Sequence, residues 1–194
     1  MRITGGEFGG RNLIVPKTDA IRPTQDRVRE SLFSILQPEI GGARFLDLFA
    51  GSGSVGLEAL SRGAAAATFV EGSRRHVEIL TQNLQAMRAE ARGEVVVANA
   101  YRWISSYTGP GFTIAFADPP YVLGEERGYA QVLATLAVRN VVRVDGLFIA
   151  EMTAVQRAEE TPDWDLLRDR TYGKTRICIW RRLATTTKET NDEK

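Results

Sequence analysis

Between residues 44 and 151, short apolar runs alternate with helical patterns, and this alternation limits what the chain can fold into more than any other feature. The segments Arg44–Phe49, Ala67–Val70, Val95–Ala98, Phe112–Ala117 and Gly146–Glu151 have the length and apolar content of buried strands. Between them the spacing predicts helices over Ser54–Arg62, Ser73–Ala91 and Tyr129–Val138, with a short one around Arg102–Ser105. Such units imply a parallel sheet with helices on both faces, because each right-handed crossover lays its helix back on the sheet. Ligands of these sheets bind beyond the carboxyl ends of the strands, where the order of connections reverses. Gly51, Glu71, Asn99 and Asp118 each stand at the end of their own strand, so the topology brings them to one rim.

The flanks carry other patterns. Met1–Pro16 holds two strand-like pieces around the glycine-dense Gly5–Gly10, which permits a hairpin or a loop that changes shape on binding. From Thr24 to Leu36, residues Val28, Leu32, Ile35 and Leu36 follow i, i+4, i+7, i+8 and predict a core-facing helix with Thr24 as its N-cap; Arg27, Arg29 and Glu30 fall elsewhere on it. Near the other end, Trp164–Thr171 and Thr175–Arg181 flank Tyr172-Gly173-Lys174, a hairpin by its turn chemistry. Val77, Leu80, Leu84 and Met87 form a core stripe in the helix after the second strand. With 194 residues, 43% of them hydrophobic, one core can be buried, and the expected domain spans 1–183, with a hairpin and helix extension over 1–37 and an α/β core over 38–183. Residues 184–194 are expected to form a disordered tail.

Two segments carry chemistry. Phe45-Leu-Asp-Leu-Phe-Ala-Gly-Ser-Gly-Ser-Val-Gly56 is a strand, a glycine-rich turn and a helix start, and Gly51, Gly53 and Gly56 satisfy G-x-G-x-x-G. Asp47, inside the strand, would repel a pyrophosphate but attract an ammonium, which favours an amino-acid-bearing cofactor over a dinucleotide. Glu71 ends the next strand about 20 residues past the first glycine, the spacing at which an acid can hold both hydroxyls of a ribose. An ammonium and a ribose together fit S-adenosylmethionine. The second segment is Asp118-Pro119-Pro120-Tyr121. A carboxylate and a backbone carbonyl can each accept a hydrogen bond from a planar –NH2, the prolines fix the backbone, and the Tyr121 ring offers a stacking face worth about 1–3 kcal/mol per base.

In that order, LDLFAGSGSVGLEAL, FVEGSRR and FADPPY resemble the class I S-adenosylmethionine-dependent methyltransferases that act on exocyclic amines. The stretches GGEFGGRNL and IRPTQDRVRESLFSIL narrow the resemblance, over about Met1 to Leu183, to the ribosomal small-subunit methyltransferase D family, bacterial enzymes that methylate N2 of a guanine in 16S rRNA. The resemblance implies a Rossmann-like fold with a mostly parallel seven-stranded sheet of order 3-2-1-4-5-7-6. It implies that Asp118 positions the amine, with proton removal by it or by water left open. Pro119 would lend its carbonyl, Pro120 shape the loop and Tyr121 stack. For the cofactor it implies Asp47, Phe49, Gly51, Ser52 and Gly53 at the methionine part and Glu71 with Gly72 at the ribose. Asn99 and Ala100 would lie at the adenine, although a surface asparagine fits Asn99 equally. Thr24 and Arg27 match the family's RPT-x-DR segment near the cofactor and RNA entrance. The implied partner is 16S rRNA within a 30S subunit or assembly intermediate, with no metal and no membrane.

Other features narrow the field. The same amine clamp would serve adenine N6 of DNA or a glutamine amide of a protein, but no separate target-recognition domain of a restriction-type enzyme is evident. A dinucleotide oxidoreductase or an inactive nucleotide-binding module is opposed by Asp47 and the intact Asp-Pro-Pro-Tyr. The lone Cys178 rules out an intrachain disulfide framework and a cysteine-cluster metal site, and without a Pro-Cys dipeptide carbon methylation at cytosine C5 is disfavoured. His76 is expected to face solvent, Cys178 to be packed, and Trp103, Trp164 and Trp180 to be core or rim aromatics. The formal charge of +1 argues against non-specific coating of nucleic acid, yet residues 164–183 hold Arg168, Arg170, Lys174, Arg176, Arg181 and Arg182 against only Asp165 and Asp169. No apolar run of about 18 residues and no signal-peptide core is present, so a cytoplasmic location is expected.

Overall fold

A computed structural model describes residues 1–16, 23–119 and 129–184. The apolar runs form strands β1 (Arg44–Leu48), β2 (Ala66–Glu71), β3 (Gly93–Val97), β4 (Phe112–Ala117) and β5 (Val142–Thr153), and the C-terminal hairpin forms β6 (Trp164–Tyr172) and β7 (Thr175–Arg182). They make one seven-stranded sheet of order β3-β2-β1-β4-β5-β7-β6, as expected. The first five strands pair in parallel and the β5–β7 and β6–β7 pairs are antiparallel. Helices α1 (Pro23–Ile40), α2 (Ser54–Ser61) and α3 (Arg74–Met87) pack into one core with Phe45, Phe69, Ile114 and Ile149, while α4 (Ala100–Ser106) and α5 (Ala130–Val138) pack into the other with Leu46, Val70, Ala115 and Phe148. Successive strand residues point to opposite faces, so strands covered on both sides are largely apolar, as β1, β2 and β4 are, with Asp47, Thr68 and Glu71 as buried exceptions.

The elements depart from the sequence pattern where tertiary contacts outweigh local signals. Helix α1 begins at Pro23, so Thr24 lies within its first turn instead of capping it, and it continues through Pro38 to Ile40, which is fully buried. Its buried face is Val28, Arg29, Leu32, Phe33, Leu36 and Ile40, whereas Ile35, expected in the core, is 37% exposed. Helix α3 stops at Met87 because Arg88 turns left-handed (φ 55°) and the next amide, of Ala89, bonds back to the Leu84 carbonyl at 2.9 Å. Strand β5 starts four residues earlier than the pattern suggests, with Asp145 at φ 61° and a register shift opposite Phe112 and Ile114. The expected tail lies, beyond Ala184, outside the described residues.

The N-terminal glycines do form a small hairpin, bridged between Arg2 and Asn12, which drops Ile3, Phe8 and Leu13 into the α1–α3 core. Its anchor is Glu58 of α2, fully buried, which accepts from the Thr4 amide (2.8 Å), the Thr4 hydroxyl (2.7 Å) and the Gly5 amide (3.0 Å), and from the Arg29 and Arg62 guanidiniums. Close approach explains two glycines of the turn. A Cβ on Gly53 (φ 82°) would lie 2.2 Å from Leu80 Cδ1, and one on Gly56 would lie 2.3 Å from Phe69 Cε1, so α2 could not settle on β2.

Candidate active site

The sheet order reverses between β1 and β4, and beyond their carboxyl ends lies a cavity of about 430 Å³. Asp47 of β1 and the turn residues Phe49, Gly51 and Ser52 form one side; Asp118, just past β4, and Glu151 of β5 form another. Val28, Arg29 and Leu32 of α1 and the β6–β7 turn at Tyr172, Gly173 and Lys174 close it over. Thus Asp47, Phe49, Gly51, Ser52 and Asp118, inferred from separate motifs, share one cavity.

Backbone amides around the glycine turn are held by carboxylates. Asp47 Oδ2 accepts from the Gly56 amide at 2.9 Å, tying β1 to the first turn of α2. Glu71 accepts from the Gly51 amide at 2.8 Å and from the Ser73 amide at 2.7 Å. A carboxylate offers about four acceptor positions, so these bonds leave Glu71 with capacity for a further donor. Asn83 of α3, fully buried, donates to the Ser52 carbonyl at 2.9 Å and grips Ile14 through both its amide and its carbonyl. Phe49 is left-handed (φ 64°), a conformation costing a non-glycine residue about 1–2 kcal/mol, and its ring meets Tyr101 edge-on at 5.3 Å.

Three carboxyl groups converge on the cavity with raised pKa values. Burial pushes Asp47 up to about 7, against the Gly56 amide that favours its anion, and the Glu71 charge adds to the rise. Asp118 keeps exposed surface at the cavity, yet the protein packed around its carboxyl pushes it above the usual carboxylate range, with the Glu151 and Asp47 charges adding to the rise. Burial raises Glu151 to about 6, opposed by the Arg29 guanidinium. Like charges gathered in one recess disfavour full ionisation, so the cavity favours an incoming cation or hydrogen-bond donor and disfavours an anion. Among the described residues no group of three or more such side chains could hold a metal ion.

The remaining expected site residues fall around this centre. Gly53 sits within the turn against Leu80, and Gly72 follows Glu71 at the surface. Asn99 is exposed and caps α4, its Oδ1 accepting from the Arg102 amide at 3.1 Å, with Ala100 buried behind it. Arg27 is exposed and lines a separate open hollow with Arg2, Asp26 and Glu30, and the side chain of Thr24 lies outside the described residues. Pro119 is buried, and Pro120 and Tyr121 lie outside the described residues. His76 is partly exposed beside Glu71, Cys178 is fully buried, Trp164 and Trp180 are core residues, and Trp103 packs on Tyr107 and Phe112.

Sequence reasoning missed Glu151 and Arg29. Glu151 has the signature that exposed Asp47 and Glu71, an acid towards the carboxyl end of an apolar strand, here Leu147-Phe-Ile-Ala-Glu151. Arg29 is 5% exposed and donates to the Arg2 carbonyl at 2.6 Å and to Asp26 at 2.9 Å. It continues a second helical stripe with Phe33, Leu36 and Ile40, although that stripe alone does not tell a buried arginine from a solvated one.

A family model described as "Conserved hypothetical protein 95" matches residues 1–181. The Ribosomal RNA small subunit methyltransferase D of Escherichia coli (strain K12) is 38% identical to this chain over 186 residues, 95% of the chain and 91% of that protein. The putative rRNA methyltransferase YlbH of Bacillus subtilis (strain 168) is 33% identical, over 94% of the chain and 99% of its own length. Among solved structures, a putative methyltransferase yhhF from Escherichia coli aligns with a TM-score of 0.83 at 38% identity, covering 95% of this chain and 98% of that one. With a sheet of the expected order, a cavity at its switch point and matches spanning nearly its whole length, the chain belongs to the ribosomal RNA small subunit methyltransferase D family, with the Rossmann-like class I methyltransferase fold.

Proposed function

We propose that this protein transfers the methyl group of S-adenosylmethionine to the exocyclic N2 amine of a guanine in 16S ribosomal RNA, acting in the cytoplasm on a 30S subunit or an assembly intermediate. The observation that carries this is the shared cavity of the Gly51–Ser52 turn and Asp118. Its residues fit the cofactor. Asp47, poised near neutrality by burial, becomes fully anionic when an ammonium meets it, and open space around the Gly51 α-carbon admits a ligand against the backbone. Glu71 keeps acceptor capacity for ribose hydroxyls beside that turn. S-adenosylmethionine, when bound, supplies an electrophilic methyl carbon, so no covalent enzyme intermediate is needed.

The chain's own residues then deal with a poor nucleophile. A guanine amine has its lone pair drawn into the ring, and hydrogen bonds from that amine to Asp118 and the Pro119 carbonyl turn it towards the methyl. They would also favour the positive charge that develops on nitrogen as the C–N bond forms and the methyl–sulfur bond breaks, with neutral S-adenosylhomocysteine as the leaving group. The amine gives up one proton, and Asp118, whose pKa is raised, is suited to hold it transiently or pass it to water. Asn99 and Ala100 at the adenine, Pro120 and Tyr121 at the base, and Thr24 and Arg27 at the entrance complete the proposed site.

The test is nucleoside analysis of rRNA from 30S subunits isolated from cells lacking the protein and incubated with it and S-adenosylmethionine. The expected product is N2-methylguanosine in 16S rRNA. Methylation of DNA adenine or of a protein glutamine, with none in rRNA, would overturn the proposal.

A further inference from the structure

Strand β6 is an edge strand in which a bulge decides the faces of Arg168, Asp169 and Arg170, while Asp165, before the bulge, opposes Arg181 on the α1 side. Leu166 pairs with Trp180 and Arg168 with Ile179, so Leu167 is an extra residue in the ladder. Without it, Arg168 would oppose Cys178 and point to the α5 side. With it, Arg168 and Arg170 oppose Ile179 and Ile177, the two β7 residues that face α1, while Asp169 is turned to the other side, where it pairs with Arg176 at 2.5 Å and lies 3.6 Å from the Cys178 sulfur.

The two arginines border a groove floored by Val28, Leu32 and Ile35 of α1. Val28, Leu32, Tyr172 and Ile177 line both this narrow groove and the active-site cavity, so the two are neighbours on one face, and exposed Lys174 lines the cavity. Arg168, Arg170 and Lys174 make no ion pair among the described residues; the sole side-chain hydrogen bond of Arg168 there runs to its neighbour, the Leu167 carbonyl. Edge strands often carry charge to deter pairing with other chains, but that role needs no preference for one face. Here the unpaired cations share the face that leads to Asp118, and Asp169, which lies between the two arginines in sequence, is turned to the other face and paired with Arg176.

We propose that Arg168, Arg170 and Lys174 form a track for successive phosphates of a single-stranded RNA segment, delivering the adjoining base to the cavity. Residues two apart on a strand are separated by about 6.8 Å, a span suited to neighbouring phosphates of an extended chain. The base must leave its stack to reach Asp118, so the adjoining backbone must be splayed and single-stranded. The track rests on the rRNA reading given above and extends it by naming where the backbone lies.

The experiment measures methyl transfer to undermethylated 30S subunits, and binding of a fluorescent single-stranded 16S rRNA fragment, over a series of KCl concentrations. For single strands each lost phosphate contact lowers the slope of log affinity against log salt by about 0.7. Arg168→Ala/Arg170→Ala should therefore flatten the slope by about 1.4 and raise KM about tenfold or more. Its affinity for S-adenosylhomocysteine should stay within twofold, which verifies folding. Arg170→Lys should restore most of the slope, and Arg143→Ala, away from the groove, should leave it unchanged. Transfer to 30S subunits by the wild type, with an unaltered slope and KM in the double variant, would overturn the track and leave the rRNA reading standing. Absence of transfer to rRNA by the wild type would remove both.

Discussion

Asp47 shows how burial sets the behaviour of a single residue in this site. Its folded pKa of about 7 lies above that of an exposed aspartate, so the folded chain holds a proton that the unfolded chain releases across the interval between them. Stability is thus lost progressively as pH rises from about 4 to about 7. Asn in place of Asp47 keeps an acceptor for the Gly56 amide without that proton. Urea denaturation of Asp47→Asn should show a shallower decline over the same interval, while calorimetry should show weaker binding of S-adenosylhomocysteine by about tenfold or more. A wild-type pH dependence retained by the variant would locate the titrating group elsewhere. On the substrate side, Asp118→Ala should abolish transfer in a radiolabel assay while cofactor affinity stays within a few-fold; equal loss of both would move Asp118 to the cofactor. Asp47, Gly51 and Asp118 were legible because each stands where a strand meets a turn. Arg29 was not, since an arginine beside an apolar stripe reads as solvated until Arg2, Asp26 and Glu58 are seen around it.

At the scale of elements, the strands and helices followed from periodicity, and the errors came at ends fixed by partners remote in sequence. The end of α1 is one case, since Ile40 is buried by contacts that outweigh Pro38. Glu58, inside α2, shows the same influence of remote partners: besides its i, i+4 pair with Arg62 it receives the N-terminal hairpin and is buried completely. Removing one partner from a buried charged network costs about 3–5 kcal/mol. Glu58→Ala should lower stability by that amount in chemical denaturation; a loss under 1 kcal/mol would show that the hairpin docks without it. The bulge at Leu167 carried no sequence signal, because nothing local distinguishes an extra strand residue from a paired one.

The molecule as a whole is one sheet with a core on each face, and its strand order was legible once the motifs resembled a known family. Alternation alone gives parallel strands and two helical layers; the antiparallel β5–β7 pair needed the resemblance. Because the proposed ligand site joins the ends of several strands, occupancy should stabilise the fold. A ligand at 100 times its Kd adds about 2.7 kcal/mol, which for a chain of this size raises Tm by about 5–10 °C. S-adenosylhomocysteine should produce that shift in a thermal melt and NAD should not; the reverse would overturn the cofactor assignment.

The Glu58 anchor reverses the usual ranking of motions along a chain. Terminal segments ordinarily fray, and their amide protons exchange with solvent within moments. Here the amides of Thr4 and Gly5 end on a carboxylate sealed inside the protein, so they can be released only when α2 itself lets go. In deuterated buffer these two protons should outlast those of the exposed strand β3, making the beginning of the polypeptide one of its slowest regions to open.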